Sequence, residues 1–189
     1  MQFEEDIQPC LRVLAQSGII LYPTDTVWGI GCDATNAEAV EKIYTLKKRS
    51  AKKSMIILLA DEKDILTYVT QPDLQIFDYI TGISKPVTVI YEGATGLADN
   101  LISEDGTIAI RLVNDLFCRH LIKRFRKPVV STSANISGYP PPSIFPDIDI
   151  AIKNGVDYIV QHRQDDLYTA APSAVIRWNK NGIPTIIRN

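Results

Sequence analysis

Residues 127–138 read KPVVSTSANISG, and the fold turns on how that stretch divides. Val129-Val130 is a short apolar run entered through a proline, the pattern of a buried strand. Ser131–Gly138 then supplies four hydroxyls, an amide and a glycine, with almost nothing that builds a core. Small hydroxyl side chains and nearby N–H groups just past a strand end suit an anion better than packing. The alternative is a Ser/Thr turn in which Asn135 or Ser137 caps a following helix.

Outward from this point, strand and helix patterns alternate. Asn114 can cap a helix bearing Leu116, Phe117, Leu121 and Phe125. Before it, Pro86–Tyr91 and Thr107–Leu112 read as strands, and two short helical patterns cover about Asp61–Val69 and Pro72–Ile80. Met55–Leu59 is a core strand. Thr35–Glu38 forms a capping box that opens a helix through about Leu46. Phe3, Ile7, Cys10, Leu11 and Leu14 recur at helical spacing, with Gly18 as the terminal glycine and a buried strand from Gly18 to Pro23. Downstream, YPPPSIFP is loop. Val156–Val160 and Ser173–Trp178 are strands, and Asn181-Gly182 turns the latter into Ile183–Arg188. Residues 1–189 are therefore expected to form a single α/β domain with a mixed sheet flanked by helices.

The apolar fraction is 46% and the charged fraction 22%, ordinary for a globular domain. A net charge of −2 gives no global field for nucleic acid. Cys10, Cys32 and Cys118 are scattered without a CxxC, and His120 and His162 pair with none of them, so no zinc site is legible. Scattered thiols and the lack of a membrane-length apolar run fit a soluble cytoplasmic protein. Gly29–Ala34 matches GxGxxA, but five residues separate it from the strand end, too far for a dinucleotide turn. No P-loop, GxSxG or HExxH occurs, and Cys32 reads as a small buried residue rather than a nucleophile.

Three further clusters share the surplus polarity of Ser131–Gly138. Thr24-Asp25-Thr26 lies just beyond a strand end, where open α/β sheets bind ligands. Lys47, Lys48, Arg49, Lys52 and Lys53 crowd positive charge at a helix C-terminus, which is either a solvated end or an anion site. Arg188 stands near the chain end. Hydroxyls, lysines and arginines with no covalent catalyst fit phosphoryl or nucleotidyl transfer by positioning and electrostatics.

Taken in order, YPTDTVWGIG, LKKR with Lys53-Ser54, PVTVIY, TIAIR, STSANISG and the closing IIR resemble the YrdC-like family from about Gly18 to Arg188. The resemblance implies a twisted mixed sheet whose concave face holds ATP and L-threonine. It implies L-threonylcarbamoyladenylate synthase activity, joining L-threonine, bicarbonate and ATP with release of pyrophosphate. The product would serve the downstream transferase machinery that modifies a tRNA adenosine. Carried over by position, the catalytic pair is Lys47 and Arg49. The ATP site adds Lys53, Thr88, Ser133, Asn135 and Arg188, and the threonine site comprises Thr26, Arg111, Ser131 and Ser173. Pro141 replaces a family serine, leaving Ser143 as a substitute on the phosphates. Magnesium is expected with ATP, without a carboxylate cage. The competing reading is a non-catalytic double-stranded RNA or tRNA-binding module using Lys47–Lys53 and Arg119–Lys127. A weak tRNA contact is compatible with either.

Overall fold

The computed structural model describes residues 3–50, 55–169, 171–178 and 183–189. Its centre is a mixed sheet of nine strands: β1 Ile20–Tyr22, β2 Gly29–Gly31, β3 Ile56–Leu59, β4 Val87–Glu92, β5 Thr107–Leu112, β6 Val129–Ser133, β7 Tyr158–Ile159, β8 Ala174–Trp178 and β9 Pro184–Arg188. Their spatial order is β7-β1-β2-β6-β3-β5-β4-β8-β9. Three neighbouring pairs, β1/β7, β3/β5 and β4/β8, are parallel and the other five antiparallel. Helices α1 Glu4–Ala15, α2 Ala37–Lys47, α3 Ile65–Tyr68, α4 Gln75–Thr81, α5 Leu116–Phe125 and α6 Ile150–Asn154 complete the domain. Asn181-Gly182 and Lys53 lie outside the described residues.

Several element ends differ from the sequence reading, each for a local reason. α1 closes with Ser17, not Gly18, in the left-handed region (φ 58°). Gly18 N–H then reaches back to the Val13 carbonyl at 2.9 Å, a Schellman closure. Glycine is needed there for space, because a Cβ would sit 2.6 Å from Val13 Cγ1. The α2 cap is Asn36, whose side chain accepts from Ala39 N–H at 3.0 Å, while Thr35 binds Asp33 instead. Asp115 rather than Asn114 caps α5, accepting from Cys118 N–H at 2.9 Å. The short helix α6, capped by Asp149, was not anticipated.

The strand β2 was also missed, because two of its three residues are glycine, a poor strand former. It is held on both sides, by β1 and by β6. The glycines let neighbours cross it closely. A Cβ on Gly31 would meet the Val130 carbonyl and Tyr22 Cε1, each at 2.6 Å. Tyr22 uses that space to donate its hydroxyl to the Val130 carbonyl at 3.0 Å. Gly31→Ala is therefore expected to lower stability by about 1–3 kcal/mol, the usual cost of overpacking. A urea midpoint equal to wild type would refute the steric account.

Side-chain alternation divides the sheet into two faces. One face presents Ile30, Ile57, Val89, Ile110, Val130 and Ile176 to Val40 and Ile43 of α2, Ile65 of α3 and Ile76 of α4. The other presents Ile20, Tyr22, Leu58 and Val129 to Phe3, Ile7, Cys10 and Leu14, and to Phe117, Leu121 and Ile122 of α5. Burial of each such Ile, Leu or Phe contributes about 1.5–3 kcal/mol. On this second face β6 continues as Ser131 and Ser133, β5 as Arg111 and β4 as Thr88. The apolar pattern gives way to a polar one past the ground that α1 and α5 cover.

Candidate active site

A cavity of about 170 Å³ opens on that polar ground, lined by Thr26, Arg49, Arg111, Ser131, Ser133, Ser173 and Arg188 among others. Its volume falls below the roughly 300–1,000 Å³ that encloses a drug-sized ligand. It suits a small molecule, or the reacting end of a larger one. The strand β6 runs through Ser133, whereas the sequence pattern ended it at Val130. Pairing of Ser133 with Gly29 keeps these hydroxyl residues extended. Alternation then turns Ser131 and Ser133 to one side.

At one end, Arg111 is only 3% exposed. Its Nη2 lies 3.1 Å from Asp25 Oδ1, near enough for an ion pair. The contact lacks hydrogen-bond alignment, so Nε and Nη2 both keep unfilled donor capacity, as Asp25 Oδ1 keeps acceptor capacity. A buried donor left unfilled costs about 1–3 kcal/mol, so the site favours a ligand that fills it.

Thr26 has a defined polarity. The Thr24 hydroxyl donates to the Val27 carbonyl at 2.9 Å, which uses its single proton. It must therefore accept from Thr26 N–H and from the Thr26 hydroxyl, each at 3.0 Å. The Thr26 oxygen is left with lone pairs, an acceptor for an N–H group. Opposite, Thr88 is fully buried and its hydroxyl pairs with that of Ser173 at 2.8 Å. The Arg188 guanidinium holds the Ser173 carbonyl through Nε at 3.2 Å and Nη2 at 2.9 Å.

Lys47 and Arg49 part company although only Lys48 separates them. Lys48 takes the left-handed conformation (φ 50°), and Arg49 N–H closes on the Tyr44 carbonyl at 2.9 Å. Arg49 consequently reaches the cavity. Lys47 is 1% exposed, with its ammonium donating to the Ser133 carbonyl and, at 2.6 Å, to the Asn135 carbonyl. Burial, and secondarily Arg49, pushes its pKa down to about 7. Burial lowers that of Arg49 as well. The sequence assigned Lys47 a phosphate, but its described partners are two main-chain carbonyls at the start of the Ser133–Gly138 loop.

Asn135 donates its amide to the carbonyls of Ile136 and Tyr139, at 3.0 and 2.7 Å, and its Oδ1 stays unpartnered. Ser143 is exposed and does not line the cavity; Pro141 does. Val27, Gly29, Met55, Ile56 and Pro172 also form its wall. Sequence reasoning gave them no role, since apolar wall residues carry no chemical signature.

Burial raises the Cys32 thiol pKa well above its ordinary value, with Asp33 adding to the effect, which disfavours the thiolate that a nucleophile needs. Among the described residues no His, Cys, Asp and Glu cluster could hold a metal ion, and no helix is long and apolar enough to cross a membrane. The cations of Arg119–Lys127 are largely spent on acids: Arg119 and Lys123 on Asp61, Arg124 on Glu4, and Lys127 on Asp33. That disfavours the RNA-binding reading. A larger groove of about 1120 Å³ runs past Asp61, Lys85, Arg119 and Lys123. With Arg119 and Lys123 so paired, it offers an anionic ligand much less than the smaller cavity.

The chain is similar in sequence and in fold to known proteins. The chain resembles the threonylcarbamoyl-AMP synthase of Coxiella burnetii (strain RSA 493 / Nine Mile phase I) at 30% identity over 185 residues, 93% of this chain and 98% of that one. The protein of the same name from Saccharophagus degradans is 36% identical over 132 residues, 68% of each chain. In fold, P. abyssi Sua5 complexed with L-threonine superposes with a TM-score of 0.85 at 21% identity, over 98% of this chain. The chain spans 54% of that Sua5 protein. The Sua5/YciO/YrdC family model, described as telomere recombination, matches residues 12–189. With the family model spanning most of its length and a relative of nearly the same length at 30% identity, the chain belongs to the Sua5/YciO/YrdC family.

Proposed function

We propose that this protein is a threonylcarbamoyl-AMP synthase, converting L-threonine, bicarbonate and ATP into threonylcarbamoyl-AMP and pyrophosphate. The observation that carries the reading is the presence, around one small cavity, of a buried guanidinium, Arg111, which is ion-paired with Asp25 yet keeps donor capacity, and of a hydroxyl acceptor, Thr26. A carboxylate complements the first and an N–H group the second, as an α-amino acid requires. Relatives of nearly the same length carry the same enzyme name.

In this reading Arg111 takes the threonine carboxylate, Thr26 its nitrogen, and Ser131 and Ser173 its remaining polar groups. The amine adds to carbon dioxide derived from bicarbonate and loses a proton, giving a carbamate. A carbamate oxygen then attacks the α-phosphorus of ATP while the bond to the bridging oxygen breaks, and pyrophosphate departs. No enzyme nucleophile is needed. Arg49 and Arg188 offset phosphate charge, and Ser133 and Asn135 orient the nucleotide. Lys47 acts from behind by holding the Ser133 and Asn135 carbonyls, and Thr88 by orienting the Ser173 hydroxyl. The cavity is lined by hydroxyls and guanidiniums with no carboxylate among its described wall residues, and Asp25 beside Arg111 is ion-paired, so magnesium enters with ATP as part of that substrate. The product passes to a cytoplasmic transferase that modifies tRNA.

Pyrophosphate release is expected to require L-threonine and bicarbonate together. Equal release with either omitted would mean plain ATP hydrolysis and would sink the assignment.

A further inference from the structure

Arg163 lies outside the cavity, in the segment QHRQDD, which carries no functional motif. Its backbone nevertheless sits at φ 66°, in the left-handed region that non-glycine residues seldom enter. Such a conformation persists where the surroundings over-determine it, and it clusters near functional sites. Three contacts hold it here. Nη1 donates to the Thr24 carbonyl at 3.2 Å and to Asp115 Oδ2 at 3.3 Å, and Nε donates to Asp166 Oδ2 at 3.1 Å.

The first two contacts both lead into the amino-acid end of the cavity. Thr24 is the residue whose hydroxyl sets the polarity of Thr26. Asp115 follows Asn114, whose N–H donates to Asp25 Oδ2 at 3.4 Å, and Asp25 is the ion partner of Arg111. One guanidinium thus joins the two segments that carry the carboxylate-facing and nitrogen-facing groups. Nη1 alone serves both acceptors, and Nε, anchored on Asp166, fixes where that nitrogen points, an anchor that a flexible lysine ammonium lacks.

We propose that Arg163 is a positioning residue for the amino-acid substrate, fixing the spacing between Thr26 and Arg111 without touching the ligand. The inference rests on the synthase reading. A clamp that served folding alone would change stability and leave the balance between the two substrates unmoved.

The test is steady-state kinetics on Arg163→Gly, which removes the side chain while suiting the left-handed backbone, with thermal unfolding as a check on the fold. The KM for L-threonine should rise by about fivefold or more, with the KM for ATP and kcat at saturating threonine within about twofold of wild type. Arg163→Lys, which keeps the charge but loses the Nε contact to Asp166, should show a smaller rise of the same selectivity, and it carries the test if the glycine variant does not fold. A threonine KM equal to wild type in the folded variant, or equal rises for both substrates, would overturn the proposal. A wild-type enzyme whose pyrophosphate release ignores threonine would overturn the synthase reading and this inference with it; an active wild type with an unaffected variant would overturn this inference alone.

Discussion

Arg111→Lys is expected to raise the KM for L-threonine on the order of 10–150-fold, equivalent to about 1.5–3 kcal/mol for a hydrogen bond to a charged group. The KM for ATP should stay near wild type. The substitution keeps the positive charge beside Asp25, so it does not strand a carboxylate in a half-buried site. What it removes is the fork. Arg111 has two nitrogens with unfilled donor capacity, one of them beside Asp25, and its five planar donors can serve Asp25 and a substrate carboxylate together. A lysine ammonium presents its donors from one point on a flexible stem, and cannot reproduce that geometry. Steady-state kinetics with each substrate varied in turn would check this. A larger effect on ATP than on threonine would place Arg111 at the nucleotide and reverse the proposed orientation of the cavity.

The second large effect concerns Arg49. Arg49→Lys, which also preserves charge, is expected to lower kcat/KM for ATP by more than tenfold, about 1.4 kcal/mol of transition-state stabilisation. Arg49 reaches the cavity because Lys48 turns the chain left-handed at the end of α2, and burial already disfavours its charged form. A phosphate that neutralises it would be welcome for that reason. Lys48 is exposed, and Lys48→Gln should change the same quantity by less than about threefold, as befits a solvated charge. Near wild-type efficiency in Arg49→Lys would show that only net positive potential matters, and would remove Arg49 from the site.

These two arginines also show how far the sequence could be read. Strands announced by apolar runs were legible, and β5 falls on the expected residues, Thr107–Leu112. The sequence divided Thr26, Arg111, Ser131 and Ser173 from Ser133 and Arg188 as threonine-facing and nucleotide-facing groups; the fold sets all six around one cavity. Lys47 and Arg49 look equivalent in a string of letters. A single left-handed residue sends one guanidinium to the cavity and one ammonium beneath the loop, and no local pattern in LKKRS announces that turn. β2 escaped because its glycines serve close approach by Tyr22 and Val130, a requirement set by residues distant in the chain. The pairing of Asp25 with Arg111 and the grip of Arg163 on Thr24 were hidden for the same reason: both join segments that meet only after the sheet has formed.

The most direct test follows the carbon rather than the pyrophosphate. The purified protein would be incubated with ATP, L-threonine and carbon-13 bicarbonate, and the nucleotides analysed by mass spectrometry. The account predicts an adenylate containing the threonine skeleton and the labelled carbon, formed in step with pyrophosphate and absent when threonine is withheld. An adenylate without the label, or AMP or ADP formed at the same rate without threonine, would contradict it.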